Sequence, residues 1–303
     1  MSVVISGIGL ALPGVTAPAD LLRPAPADPA PVDPAALIGK KGLRYKDRAT
    51  QLALCMAAAA LRDAGLLGED GPAVPGDRVG VVVSSNLGNV DTVCRAVETI
   101  AKEGTAGLSP MDTPNASSNI TASETAIRFD LRGPNLTVCN GITSGLDAVR
   151  WASLVLRSGR ADHMLVLGVE PDNPVARSLV GGPVVDGGAG LVLSRAGECA
   201  RPRVELGPAV RSASLSTCAE RLSDIAPGAA GWLTDDLAVV PLEADHLDLR
   251  GRGECSGALG VLQCAAAVGW AESGRTEPLY ALLGGAAGEP AAGLVLTPCG
   301  PAS

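Results

Sequence analysis

The chain has 303 residues, a formal net charge of −8, two histidines and six aromatic side chains (Phe129, Tyr45, Tyr280, Trp151, Trp232 and Trp270). Its length suits one large α/β body or two related halves, with a core drawn from small aliphatic side chains. The acidic balance excludes nucleic acid, the scarcity of aromatics excludes base-stacking and carbohydrate platforms, and the scarcity of histidine excludes a His-rich metal site.

The opening VVISGIGLALP reads as a short buried strand ending at Gly7 and Gly9, without the third glycine of a dinucleotide fingerprint. Residues 18–36, rich in Pro, Ala and Asp, read as an irregular loop. A helix is expected from Asp47 to a stop at Gly65, then a strand over 79–85 that is apolar throughout and so buried on both faces. A helix from Val90 to Lys102 follows, then the segment PMDTPNASSN and a helix through Ile127. Asn135 to Val138 lead as a strand into a turn at Gly141, and Leu146, Val149, Ala152 and Val155 carry helical spacing beyond it. This strand, sharp turn and helix form an elbow of the kind that presents a nucleophile, yet Ile142 stands at its tip. Strands are further expected at 163–170, 189–195, 204–210, 237–243 and 291–298, with a helix over 257–271. The alternation of strands and helices is the α/β pattern.

The eight cysteines are scattered with no C-x-x-C pair, as buried free thiols are, and with no signal-like leader a reducing cytoplasm is expected. No run of 18 uninterrupted apolar residues marks a membrane span. Lys40, Lys41, Arg44, Lys46 and Arg48 form the one dense basic run, read either as a solvated loop and helix start or as a docking patch for an acidic partner.

Taken together, LRYKDRATQLALCMAAAALRDAGL, VGVVVSSNLG, RGPNLTVCNGITSGLDAVRWA, GRADHMLVLGVEPD and GECSGALGVLQ resemble, in order and spacing, segments of the β-ketoacyl synthases of fatty acid and polyketide assembly. The resemblance implies the thiolase fold: two related βαβ halves, residues 1–200 and a shortened 201–303, in an α-β-α-β-α layering. It also implies that the condensing chemistry is gone. The family's nucleophilic cysteine falls on Ile142, whose alkyl group cannot be acylated. The second histidine falls on Glu254, an anion where an imidazole would stabilise developing negative charge. The first histidine's loop is missing, with Asp245 or His246 near its place, and the Gly-Phe-Gly-Gly gate falls near Ala286 to Glu289 without a phenylalanine. Glu254 is a candidate partner for Arg250 or Arg252 across the shortened second half.

A ketosynthase-like chain lacking its cysteine resembles the chain-length factor of type II polyketide synthases, which pairs with an active ketosynthase and shapes the acyl tunnel. The resemblance then implies a partner strand antiparallel to Asn135, Leu136, Thr137, Val138 and Cys139. It implies a tunnel and interface surface at Val90, Val93, Cys94, Val97, Met111 and Asn115, competing with the plain reading of an apolar helix stripe as core. A heterodimer with an active ketosynthase, contact with an acyl carrier protein through Lys40, Lys41 and Arg44, and a reduced, polyene-like product are the corresponding expectations, with no cofactor. Two alternatives stay open: an acyltransferase or thioesterase working through Ser144 or Cys139, and a non-catalytic homodimer.

Overall fold

In the computed structural model, which describes residues 2–284 and 289–300, strands β1 (Val3–Ala11), β4 (Val79–Ser84), β5 (Asn135–Val138), β6 (His163–Glu170) and β7 (Gly187–Arg195) come from the first part of the chain. Strands β8 (Val204–Ser212), β9 (Gly231–Leu233), β10 (Asp245–Leu247), β11 (Leu279–Gly284) and β12 (Ala291–Pro298) come from the second. A small ladder, β2 (Leu67–Gly68) with β3 (Gly71–Pro72), stands apart.

The ten large strands run in the order β10-β9-β11-β12-β8-β1-β7-β6-β4-β5. Counted within each half, both read third, second, fourth, fifth, first. In both, the fifth strand is antiparallel to its two neighbours and the second is parallel to its own. One topology is therefore used twice. The halves join where Val3, Val4 and Ile5 pair antiparallel with Leu206, Glu205 and Val204, which among the described residues leaves β5 and β10 as the two free edges.

Helices complete the layers. Helix α2 (Arg48–Asp63) covers β1, β7 and β6, with α1 (Pro34–Ile38) and α4 (Ile120–Phe129) beside it; α7 (Leu215–Ile225) covers β8, β11 and β12. Between the two halves of the sheet lie α5 (Ser144–Arg157) and α8 (Leu259–Glu272), packed on each other; α3 (Val90–Glu103) and α6 (Pro174–Val180) sit at the periphery. Side chains alternate accordingly: Val82, Met164 and Val166 point to the central layer, while Val81, Val83, Leu165 and Leu167 point to α2. Helix α8 is buried from Leu259 through Trp270, which is why its sequence is apolar on every face.

Several expectations are corrected. The strand expected over 237–243 does not form: Leu237–Val239 is a 3₁₀ turn on a loop, and the strand in that position is Gly231–Leu233. Pro241 and the fully exposed Leu242 lie on this loop, so its apolar run has no sheet face to bury. β1 runs through Gly7 and Gly9 to Ala11, because both glycines let α2 lie directly against the strand. The supposed loop at 18–36 contains a 3₁₀ turn at Pro18–Leu22 and helix α1, started by proline at its first position and the Asp33 cap.

Candidate functional site

The elbow forms because Gly141 adopts φ +83°, a left-handed conformation open to glycine. Gly141–Thr143 make a 3₁₀ turn and α5 starts at Ser144. Ile142 is half-buried against the central core. The N-terminal turn of α5 is fastened by Asp147, whose Oδ2 accepts from Asn140 Nδ2 (2.8 Å) and Thr143 Oγ1 (2.9 Å) and whose Oδ1 pairs with Arg211 of β8.

A second element meets the elbow from below. Glu170, at the end of β6, is fully buried, and its carboxylate accepts from the amides of Asn86 (2.7 Å), Leu87 (2.9 Å) and Gly257 (2.9 Å) and from Ser85 Oγ (3.1 Å). It thereby ties the loop after β4 to the turn before α8. Burial pushes its pKa up to about 7, against the downward pull of those four donors. Because folding raises this pKa above 4.5, the group stabilises most below that value and the contribution is lost as pH rises through about 7. The melting temperature of the wild type is expected to fall from about pH 4.5 to about pH 7, and Glu170→Gln to flatten that slope; an unchanged slope in the variant would place its cause elsewhere.

Glu254 lies in the same turn. Its Oε1 accepts from Ser256 N (2.8 Å), and its backbone bonds to Pro183 O (2.9 Å) and Val185 N (3.1 Å). It makes no pair with the nearby arginines: Arg250 pairs with Asp235, and Arg252 donates to the carbonyls of Asp20 (2.8 Å) and Arg23 (2.9 Å). Asp245 and His246 are not brought to the elbow. His246 Nε2 is 2.7 Å from Thr234 O, Asp245 pairs with Arg275, and both line a cavity of about 420 Å³ with Trp270 and Ser273 at the end of α8. The elbow meets the start of that helix. The gate expected near Ala286 to Glu289 falls largely on residues 285–288, outside the described residues.

Ser144 is completely buried and accepts from Asn140 N (2.7 Å), with no histidine among its partners. Cys139 is exposed one residue beyond β5, where a buried, strand-paired position was expected. Partial burial raises its thiol pKa, with the Glu170 charge adding to the shift. Neither residue is prepared as a nucleophile.

Helix α3 buries only Thr92. Val93, Val97 and Met111 are 39%, 61% and 55% exposed, Val90 rests on the central core, and Cys94 is half-buried. Asn115 is held inward, donating to Tyr45 O (2.8 Å). The cavity beside α3, about 260 Å³, is lined by a different face that includes Thr92, Arg95, Ala96 and Thr99. Val93 and Val97 thus belong to an uncovered apolar face in the single chain.

Among the described residues, strand β5 has one neighbour, β4. Ile127 of α4 and Trp151 of α5, helices that pack on β5, are 75% and 50% exposed. Neither was singled out from the sequence, because exposed apolar residues on amphipathic helices carry no local mark. In the basic run, Lys46 pairs with Glu124 and Arg48 with Asp186. Lys40, Lys41 and Arg44 are exposed, and Arg128, which donates to Lys41 O (3.0 Å), extends their charge. Arg128 was missed because it is distant in sequence.

The duplicated layering and the elbow define a class of fold: the chain has the thiolase-like fold of the β-ketoacyl synthases. A family model described as "Beta-ketoacyl synthase, N-terminal domain" matches residues 29–178. The 3-oxoacyl-[acyl-carrier-protein] synthase 2 of Coxiella burnetii is 29% identical over 136 residues, 45% of this chain and 32% of that protein. That of Vibrio harveyi is 30% identical over 134 residues, 44% and 31% respectively. The chain thus spans about a third of the length of the curated relatives it matches.

Among solved structures, "The ishigamide ketosynthase/chain length factor" superposes with a TM-score of 0.79 at 24% identity, covering 99% of this chain and 100% of that one. A β-ketoacyl synthase from Burkholderia phymatum STM815 gives 0.80 at 16% identity, covering 99% and 100%. These similarities establish the fold. Among the described residues, no helix is long and apolar enough to cross a membrane.

Proposed function

We propose that this chain is a non-condensing, chain-length-factor-like subunit of a type II polyketide synthase, built from halves 1–200 and 201–303. It pairs through β5 with an active ketosynthase and walls part of the acyl tunnel of a polyketide- or polyene-making system. The observation that carries this reading is a free sheet edge flanked by exposed Ile127 and Trp151, beside an elbow whose tip is Ile142. A free edge with apolar flanks invites a partner strand, and the elbow needs no nucleophile if the partner supplies one. The uncovered Val93 and Val97 face of α3 supports a role at the tunnel and interface. The fold shared with a protein described as a ketosynthase/chain length factor supports the same reading.

The test is co-expression with an active ketosynthase from the same gene neighbourhood. A one-to-one complex that condenses malonyl units only when both chains are present is expected. A chain that ignores the ketosynthase, or forms only a homodimer, would sink the reading.

Lys40, Lys41 and Arg44, with Arg128, form the surface proposed to meet an acyl carrier protein. Reversing the first three charges is expected to weaken carrier binding about tenfold at low salt, and the difference to shrink as salt is added. Equal binding by the variant across salt concentrations would place carrier docking on the partner.

A further inference from the structure

The loop after β4 carries a polar residue, Asn86, that sits outside the family's catalytic positions. Asn86 extends its side chain between the elbow and the turn that precedes α8. Its Nδ2 donates to Gly141 O (2.9 Å) and to Ser256 Oγ (2.8 Å). Its Oδ1 accepts from Gly141 N (3.3 Å) and lies 3.1 Å from the Ser144 hydroxyl. Both N–H bonds are used, and the oxygen faces two donors. The orientation is fixed by the network, since a flipped amide would set NH₂ against the Gly141 N–H and oxygen against the Gly141 carbonyl.

The far side of this bridge is strained. Ser256 has φ +37°, a conformation that L-residues other than Asn and Asp rarely hold, at a typical cost of about 1–3 kcal/mol. It is kept there by the Asn86 bond to its hydroxyl and by Glu254 Oε1, which accepts from its amide. Glu254, the residue at the second histidine's place, thus caps the turn that presents Ser256 to Asn86. The two halves are closed on each other at the residue next to Ile142.

We infer that the Asn86 carboxamide is a plug: it fills the approach to this subunit's own apex and excludes a pantetheine-linked acyl group from it. The inference rests on the heterodimer reading only in its consequence, that the acyl chain is loaded on the partner alone. The closure itself is a property of this chain. Ile142 removes the nucleophile and Asn86 removes the access, so restoring a thiol at the apex does not restore acylation.

The test introduces a reporter thiol, Ile142→Cys, in a Cys139→Ser background. Two alkylating probes are compared, iodoacetamide and chloroacetyl-pantetheine. In both, the thiolate attacks the carbon bearing halogen, the C–S bond forms as the carbon–halogen bond breaks, halide leaves and the thiol proton passes to buffer. Labelling at residue 142 is read by peptide mass spectrometry. The small probe is expected to label the reporter at least tenfold faster, relative to free thiol, than the pantetheine probe does. Adding Asn86→Gly should remove that discrimination.

Asn86→Ala removes the same carboxamide while keeping a side chain at the position, so it keeps the test alive if the glycine variant fails to fold. Equal discrimination with and without the bridge, or free entry of the pantetheine probe into the single reporter, overturns the plug. Native mass with the ketosynthase is measured separately. A complex that forms while the apex labels freely defeats the plug alone, and a closed apex with no complex defeats the heterodimer alone.

Discussion

Thr137→Pro is expected to disrupt association with a ketosynthase while leaving the chain folded. Val81 N and Ser85 N of the β4 side donate to the carbonyls of Pro134 and Val138, so β5 turns its even-numbered backbone groups inward. By the alternation of a parallel ladder, Asn135 and Thr137 turn their N–H and C=O outward to the free edge. Proline at 137 therefore removes an outward donor and adds a ring on the docking side, while sparing the bonds to β4; the outward side of an edge strand is one of the few places in a sheet where proline is tolerated.

Losing interstrand bonds of about 1 kcal/mol each, together with the steric block, is expected to weaken the complex about 100-fold or more. Native mass and titration of the partner measure it, with circular dichroism and melting temperature as the folding control. Thr137→Val, which retains the N–H, is expected to keep the complex. Survival of a full-strength complex with proline at 137 would remove β5 from the interface.

Long apolar runs such as Val79–Ser84 and His163–Glu170 were legible because strands covered on both faces need no alternation to be recognised. The elbow was legible from the glycine after a β-prone run. The second half was read less well. Gly231–Leu233 and Asp245–Leu247 are strands of three residues, too short for any periodicity, and the apolar Leu237–Leu242 looked more strand-like than either. That slip moved the expected histidine position to Asp245 and His246.

The candidate site was legible as a list of losses and illegible as an arrangement. Ile142 and Glu254 could be read through the resemblance to the family's motifs. Asn86, Glu170 and Ser256 could not, because their importance comes from loops and strand ends that are far apart in the chain and meet only when the two halves close. Arg211 and Asp147 illustrate the same limit, since a charge pair across 64 positions has no local signature.

That closure rests on a contact that predicts the largest effect on stability. At the crossing of α5 and α8, a Cβ on Gly260 would lie 2.4 Å from Leu146 N, and one on Gly145 would lie 2.7 Å from Gly260 N. Both obstacles are backbone, so no rotamer change can relieve them. Gly260→Ala gains about 1 kcal/mol of helix propensity, yet it must drive two buried helices apart, at a cost of about 1–3 kcal/mol or more. Gly260→Val adds branched bulk to the same clash and is expected to leave little folded protein.

For a chain of this size each kcal/mol moves the melting temperature by roughly 2–4 °C, so the alanine variant is expected to melt several degrees below wild type. Calorimetry measures it. Gly145→Ala should give a similar loss, and the double variant less than the sum, because a single separation of the helices relieves both clashes. The same separation pulls the Ser256 turn from the elbow, so the alanine variant should also open the apex to the pantetheine probe. A Gly260→Val protein with wild-type melting would mean that α5 and α8 do not touch backbone to backbone, and the closed site built on that contact would have to be redrawn.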